Sequence, residues 1–543
     1  MRFDYIVVGA GVAGCIIASR LSEDPANRVL LLEAGGKNDR LIVRMPAGTA
    51  YAYQTKALNW GYRSGPEPQL GNRELDEKRG RGIGGSAAIN AMVFNRGNPN
   101  DFEDWKRSGL SEWGYANCLP YFRRMETFGG GANEWRGCDG PLRIRPGQAD
   151  HILYDSFISG GEQAGHTYVS DHNAFRQEGV HREQAYIGNG LRWSAARGYL
   201  IPALERQNLT VWTDCYVNGI VIENGAARGV NVTRGGEDRQ ITCEREVVMC
   251  AGAFNTPQLL MLSGVGPADH LKALDIPLKL HVPRLGKDLE NHPGFVLTYS
   301  IDERYSLARE LGLVNRAALG LQWLWNKTGL AASNFYEVGA FLRTRSDLAA
   351  PNIQIEFMGL IRTLTGRGVK ADPGFTVYTC LTRPRSRGEV TLRSRDPRQQ
   401  PSLVFNHLAE RSDITDFIEA FRTTRAFFAQ PAWEKLNARE IDPGPAVQTD
   451  ADIEAFLRRN LGTHYHPSGT CKMGTGSEAV VDPAGRLRGI EGLRVADASV
   501  LPNTVCGNIS ASVAMVAEKL SDAIRGRTPL PPSNADYYRA VPA

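Results

Sequence analysis

A mixed α/β (α+β) fold is predicted by three features of this sequence. The chain opens on an apolar strand, a glycine-rich turn and a helix; from about Tyr299 apolar and polar residues alternate, as in an antiparallel sheet with one buried face; and the end returns to turn-rich motifs and a final helix. At 543 residues the chain exceeds what one simple core holds, so two joined domains are expected. Residues 1–300 form mainly a Rossmann-like nucleotide-binding domain, with a loop-rich part of the second domain inserted near 150–190. Residues 301–460 form mainly a substrate domain built on the antiparallel sheet with helices, and residues 461–530 return to the first domain. The two ends of the chain thereby build one site together.

In order, Phe3-Asp4-Tyr5-Ile6-Val7-Val8 is a buried strand, Gly9-Ala10-Gly11-Val12-Ala13-Gly14 a turn, and Cys15 to Ser22 a helix. Gly9 allows the tight turn, Gly11 lets the backbone approach a pyrophosphate, and Gly14 lets helix and strand pack closely, while the helix N-terminus offers unpaired N–H groups to phosphates. A second apolar strand, Val29 to Leu32, ends at Glu33, where a carboxylate can accept hydrogen bonds from a ribose diol. Together these place an adenine dinucleotide at the start of the chain. After the loop-rich stretch to about Gly190, strands are expected at Leu209–Trp212, Gly219–Ile222, Ala227–Val232 and Glu246–Gly252, then an amphipathic helix through Leu259–Leu262 that stops at Gly264. In the second domain Ile353–Met358 and Gly374–Tyr378 read as strands. On the first, Gln354, Glu356 and Met358 share one face and Ile353, Ile355 and Phe357 the other, and the face with Glu356 is expected to be solvated. Helices follow at Ile414–Phe428, Asp450–Asn460 and Ala511–Arg525.

Composition narrows the partners. Hydrophobic residues at 42% and charged residues at 22% are those of an ordinary soluble globular protein, and a net charge of +4 is too small at this length to imply a nucleic-acid partner. The densest basic cluster, Arg383 to Arg395, is broken by Pro384, Gly388 and Glu389 and reads as a strand–turn with solvated charges. Nine cysteines stand singly without a CxxC pair, which predicts no metal site and a reducing compartment. No signal-peptide pattern opens the chain and no run of about eighteen apolar residues occurs, so no transmembrane segment and a cytoplasmic location are expected. A surface helix from Leu311 to Trp325 leaves peripheral membrane contact open, although leucine, alanine and tryptophan at helical spacing read first as core packing.

A second glycine cluster, Arg79-Gly80-Arg81-Gly82-Ile83-Gly84-Gly85-Ser86-Ala87-Ala88-Ile89-Asn90-Ala91-Met92-Val93, allows close backbone approach to something flat or anionic, or else makes a tight interdomain turn. With Gly252 to Gly266 it resembles the signatures of the glucose-methanol-choline (GMC) oxidoreductases, flavoproteins that oxidise alcohols with FAD. The resemblance spans essentially the whole chain: Arg81 to Arg96 and Gly252 to Gly266 match both family signatures, Val282 to Pro293 its VPxVGxNLxDHP, Arg387 to Leu392 its SRGxVxL, and Leu493 to Pro502 its LRVxDASVxP.

That resemblance implies an FAD-dependent alcohol dehydrogenase or oxidase in which His466, within Tyr465-His466-Pro467-Ser468-Gly469-Thr470, takes the alcohol proton while hydride passes to flavin N5. Asn508 matches the family's second active-site position, where a carboxamide steadies the developing alkoxide. The cofactor contacts it implies are Gly9, Gly11, Gly14, Glu33, Ala34, Trp60, Gly84, Gly85, Ser86, Asn90, Ala91, Met92, Val93, Val217, Asp497 and Ala498. Ile89 stands where some relatives link a histidine to the flavin, so FAD is expected to be non-covalent. His464 would share a strand face with His466, contacting substrate, supporting the base from behind or serving structure only. Ile509 to Ser512 depart from the Thr-Asn-Ala-Pro of many relatives. Turned into the pocket, Glu356 would attract a cationic or polyhydroxylated alcohol. A small-molecule primary alcohol is the expected substrate and oxygen or another carrier the electron acceptor; an NAD-linked dehydrogenase and a flavin-containing lyase or decarboxylase are the rival readings.

Overall fold

The computed structural model describes residues 2–148, 150–365 and 368–541. Two large sheets divide the chain. The first has seven strands in the order Leu209–Trp212, Val29–Leu32, Arg2–Val8, Glu237–Met249, Ala226–Arg234 and Cys215–Glu223, with Leu493–Val495 alongside the strand Glu237–Met249. Its centre is parallel: Ile6 pairs with Leu30 on one side and Val247 on the other, and Val248 with Arg494. Continuous Val/Ile/Leu runs suit strands buried on both faces. The helix Val12–Leu21 packs with the final helix Ser510–Ile524 across this sheet, so both ends of the sequence meet there.

The second sheet has eight strands in the order Arg439–Asp442, Pro293–Ser300, Phe375–Leu381, Ile353–Met358, Val338–Leu342, Gly179–Arg182 and Tyr168–Val169, with Gly462–Thr463 beside Pro293–Ser300. Its register aligns Val296, Tyr378, Glu356, Gly339 and His181 in one row. Ile353, Ile355 and Phe357 enter a second apolar core with Phe417, Phe421 and Phe428 of the helix Arg411–Phe428. The opposite face, with Gln354 and Glu356, turns toward the first sheet.

Three expectations change. Glu356 does not lie on a solvated sheet face: its side chain is only 12% exposed and lines the cavity between the sheets. Residues 150–190 are not mainly loop; a helix spans Ile152–Gln163, and two strands from this stretch join the second sheet. Its glycine pair resembles a turn signal but serves packing, since a Cβ at Gly160 would stand 2.6 Å from Trp433 Nε1 and one at Gly161 would stand 2.3 Å from Val180 Cγ1. Finally, the helix Leu313–Asn326 is no core element: Trp323 is buried, but Val314, Leu321, Leu324 and Trp325 are exposed, Trp325 at 91%. No helix among the described residues is long and apolar enough to cross a membrane.

Candidate active site

A cavity of about 570 Å³ runs between the two sheets. Its first end is built by the opening strand–turn–helix. Gly9 has φ +100°, and a Cβ on Gly14 would stand 1.8 Å from the Gly9 carbonyl oxygen, so both positions require glycine. A Cβ on Gly11, by contrast, would meet nothing within 4 Å. That open space at a helix N-terminus fits a pyrophosphate held by backbone N–H groups. Glu33 accepts hydrogen bonds from the N–H groups of Ala10 (2.9 Å), Gly35 (2.8 Å) and Gly82 (2.9 Å). Its carboxylate thus ties both glycine loops together and keeps one of about four lone-pair sites for a ribose hydroxyl.

Among the expected cofactor contacts, Gly9, Gly11, Glu33, Ala34, Trp60, Gly85, Ser86, Asn90, Ala91, Met92, Val93, Val217, Asp497 and Ala498 line the cavity. Gly14 and Gly84 do not; Gly14 sits behind the turn, and Gly84 donates its N–H to the Ala10 carbonyl at 2.8 Å. Met92 adopts φ +63°, a strained conformation at the cavity wall. Asp497 accepts from the Gly252 N–H at 2.8 Å and the Thr256 hydroxyl at 2.6 Å, holding the N-terminus of the helix Gly252–Leu262 against the cavity. The lining is a long channel of backbone amides and small residues, which fits FAD.

At the other end His466 and Asn508 meet, although they come from separate loops: His466 Nε2 lies 3.2 Å from Asn508 Nδ2. The His466 backbone N–H donates to Asn291 Oδ1 at 2.8 Å, and its Nδ1 lies 2.9 Å from His292 Nδ1. Hydrogen-bond polarity then assigns the protons. Asn508 Oδ1 accepts from Asn95 Nδ2 (2.6 Å) and Gln354 Nε2 (3.0 Å), so the amide nitrogen of Asn508 points at His466 and at Glu356 Oε1, 3.1 Å away. His466 Nε2 therefore presents a lone pair, its Nδ1–H donates to His292 Nδ1, and His292 Nε2–H donates to the Thr504 hydroxyl at 3.3 Å. Behind Asn95, His172 Nε2 lies 2.8 Å from Asn95 Oδ1, with Glu183 Oε2 at 3.8 Å; two oxygens around one ring nitrogen assign it the hydrogen. His172 stacks on His181 with rings 28° apart, and His181 Nε2 lies 3.2 Å from Glu183 Oε1. These three side chains form the candidate metal-ligand group found among the described residues, but near-parallel imidazoles do not converge their lone pairs on one ion.

Burial holds the His466 imidazole well below its ordinary pKa, helped by His292, His464 and Arg79. Burial likewise brings His292 down to about 3 and His464 to about 4. His464 is thus neutral, and its 3.8 Å approach to Glu356 Oε2 is no ion pair at neutral pH. Burial, then the nearby Glu183, pushes Glu356 up to about 7. His464 and His466 both line the cavity, though not as neighbours on a strand: Tyr465 between them has φ +65°, and the imidazole of His464 fills the space that a Cβ on Gly294 would need, at 2.2 Å. Sequence reasoning gave no role to Asn95, His172, His292 or Arg362; Asn95 and His292 stood inside quoted motifs, while nothing local marked His172 or Arg362.

The GMC oxidoreductase family matches at residues 3–294 and again at 384–517. An oxygen-dependent choline dehydrogenase of Stenotrophomonas maltophilia (strain K279a) is 44% identical over 546 residues, covering 99% of this chain and 98% of the relative. One from Serratia proteamaculans (strain 568) is 43% identical, covering 99% of both. Among solved structures, pyridoxine 4-oxidase from Mesorbium loti superposes with a TM-score of 0.86 at 29% identity over 97% of this chain and 100% of the other. An R554A formate oxidase from Aspergillus oryzae RIB40, solved to follow FAD modification, superposes with a TM-score of 0.89 at 26% identity over 97% and 98%.

Proposed function

Because this chain belongs to the GMC oxidoreductase family, and is thereby an FAD-dependent oxidoreductase acting on CH–OH groups, we propose that it oxidises a primary alcohol to an aldehyde with His466 as general base. Gly11, Glu33, Asp497 and Ala498 along the channel would hold FAD, which when bound would supply a hydride acceptor. The chain's own residues supply the proton chemistry. His466 Nε2, unprotonated and desolvated, takes the hydroxyl proton, and the Asn508 amide N–H steadies the negative charge gathering on that oxygen. The His292–Thr504 link accepts the Nδ1–H and keeps the imidazole in this tautomer. His464 packs against Gly294 on the cavity wall beside the base. Ile89 has no nucleophile to bond a flavin, which supports non-covalent FAD. The electrons leave to oxygen or another acceptor. We also adopt the division into residues 1–300, 301–460 and 461–530, with its inserted segment, and a cytoplasmic location as working assignments.

The observation carrying this reading is the 3.2 Å pairing of His466 Nε2 and Asn508 Nδ2 inside the cavity. Anaerobic stopped-flow mixing of the purified protein with a panel of primary alcohols, choline included, tests it. Bleaching of bound flavin by at least one alcohol, with the matching aldehyde formed, is the expected result. A flavin that keeps its colour across the panel would overturn alcohol oxidation and leave the lyase reading.

A further inference from the structure

The substrate end of the cavity contains a cation, Arg362, that forms no ion pair with a carboxylate among the described residues. Arg362 lies on the strand Ile361–Thr365, which follows the Glu356 strand after the turn at Gly359 and Leu360, and it lines the same cavity as His464, His466 and Asn508. Its guanidinium is within electrostatic reach of the phenols of Tyr336, Tyr378, Tyr53 and Tyr465. Among the described residues no carboxylate comes within ion-pairing distance of it, whereas Arg79 nearby is occupied by the carbonyls of Lys78 and Tyr465 and lies 3.7 Å from Glu77.

The neighbouring groups do not supply the missing charge. Burial raises the hydroxyls of Tyr53, Tyr336 and Tyr465, so these phenols stay neutral and offer O–H donors. Glu356 is turned to the reacting end, where its Oε1 accepts from Asn508 Nδ2 at 3.1 Å and Gln354 Nε2 at 3.3 Å. A guanidinium drawn out of bulk water beside phenols is costly without an anion, and its planar fork matches a carboxylate. A quaternary ammonium there would add a second positive charge.

We propose that this site takes a primary alcohol that also bears a carboxylate, with the hydroxyl between His466 and Asn508, the carboxylate on Arg362 and the tyrosines lining the path between. The inference rests on the alcohol-oxidation reading and narrows it: the similar choline dehydrogenases are named for a cationic alcohol, and although Glu356 lines the same cavity, it is engaged by Asn508 and Gln354, so the guanidinium of Arg362 selects the opposite sign at the far end of the substrate.

The test uses the FAD-loaded protein and matched alcohols: 4-(hydroxymethyl)benzoate against benzyl alcohol, and 4-hydroxybutanoate against 1-butanol and choline. Anaerobic flavin reduction gives a limiting rate and an apparent Kd for each. The carboxylate of each pair is expected to win in the ratio of rate to Kd by about tenfold to a hundredfold, the scale of one charge-assisted hydrogen bond. Arg362→Gln should pull that ratio toward one, and Arg362→Lys, which keeps the charge and loses the fork, should fall between; absorbance near 450 nm confirms that the variants hold FAD. Equal or better reduction by choline or the neutral partners, or an unchanged ratio in Arg362→Gln, overturns the inference while leaving alcohol oxidation standing. If no alcohol reduces the flavin, both fail.

Discussion

Buried beside two further histidines and Arg79, the His466 imidazole stays unprotonated well below the usual histidine range. A base with an ordinary pKa of about 6.5 would lose half its active form at that pH and about nine-tenths one unit lower. Here the limiting rate of flavin reduction should instead stay level as pH falls through that window, and a stopped-flow pH series with a break near the ordinary value would refute the neutral-imidazole assignment. His466→Ala should slow flavin reduction about a hundredfold or more with FAD still bound, the scale for removing a positioned base. A rate equal to the parent would remove His466 from that role. Behind the pair, His172 acts as a positioning residue through Asn95. His172→Leu deletes the donor to Asn95 Oδ1, frees the Asn508 amide to turn its oxygen toward His466, and should cost about tenfold in limiting rate with little change in apparent Kd. His172→Gln restores an N–H donor and should recover most of it. If leucine and glutamine variants fell equally, the histidine would matter for packing alone.

At the scale of single elements, legibility followed how local the cause was. The opening strand, turn and helix could be read because the constraints on Gly9 and Gly14 come from the turn itself: Gly9 has φ +100° and Gly14 must clear the Gly9 carbonyl, while Gly11 faces open space that a cofactor can enter. Gly11→Val should accordingly lower FAD content of the purified protein while Tm of the FAD-free form changes little, since the side chain enters only the cofactor's space. A variant isolated with full FAD would contradict a pyrophosphate at that turn. The strand Ile353–Met358 shows the opposite case. Its alternation was plain in the sequence, but which face met the cavity was not, because a period of two assigns residues to sides without saying what lies beyond either. Packing of Ile353, Ile355 and Phe357 against Phe417, Phe421 and Phe428 decided it, leaving Glu356 to the cavity. The helix Ile152–Gln163 went unread because Gly160 and Gly161 answer to Trp433, Phe427 and Val180, all distant in sequence.

Taken as a whole, the molecule buries Glu356 between two sheets and raises its pKa from 4.5 to about 7. The folded state therefore keeps a proton that the unfolded chain gives up near pH 4.5, so stability falls as pH rises between those values, by about 3 kcal/mol, and levels off above 7. Glu356→Gln, which cannot ionise, should flatten that part of the curve; chemical denaturation of both proteins between pH 4.5 and 8 measures it, and parallel curves would show that Glu356 does not carry this charge penalty. The same enclosure explains the division between sequence and structure. The sequence alone determined the opening strand, glycine turn and helix and, through its resemblance to the family, singled out His466 and Asn508 as the pair to look for, because each is written in contiguous residues or an ordered motif. Only the tertiary structure decided that Asn95 and His172 orient Asn508, that Glu356 faces inward and that Arg362 shares the cavity with His466, because charge, proton position and burial depend on side chains brought together from opposite ends of the chain.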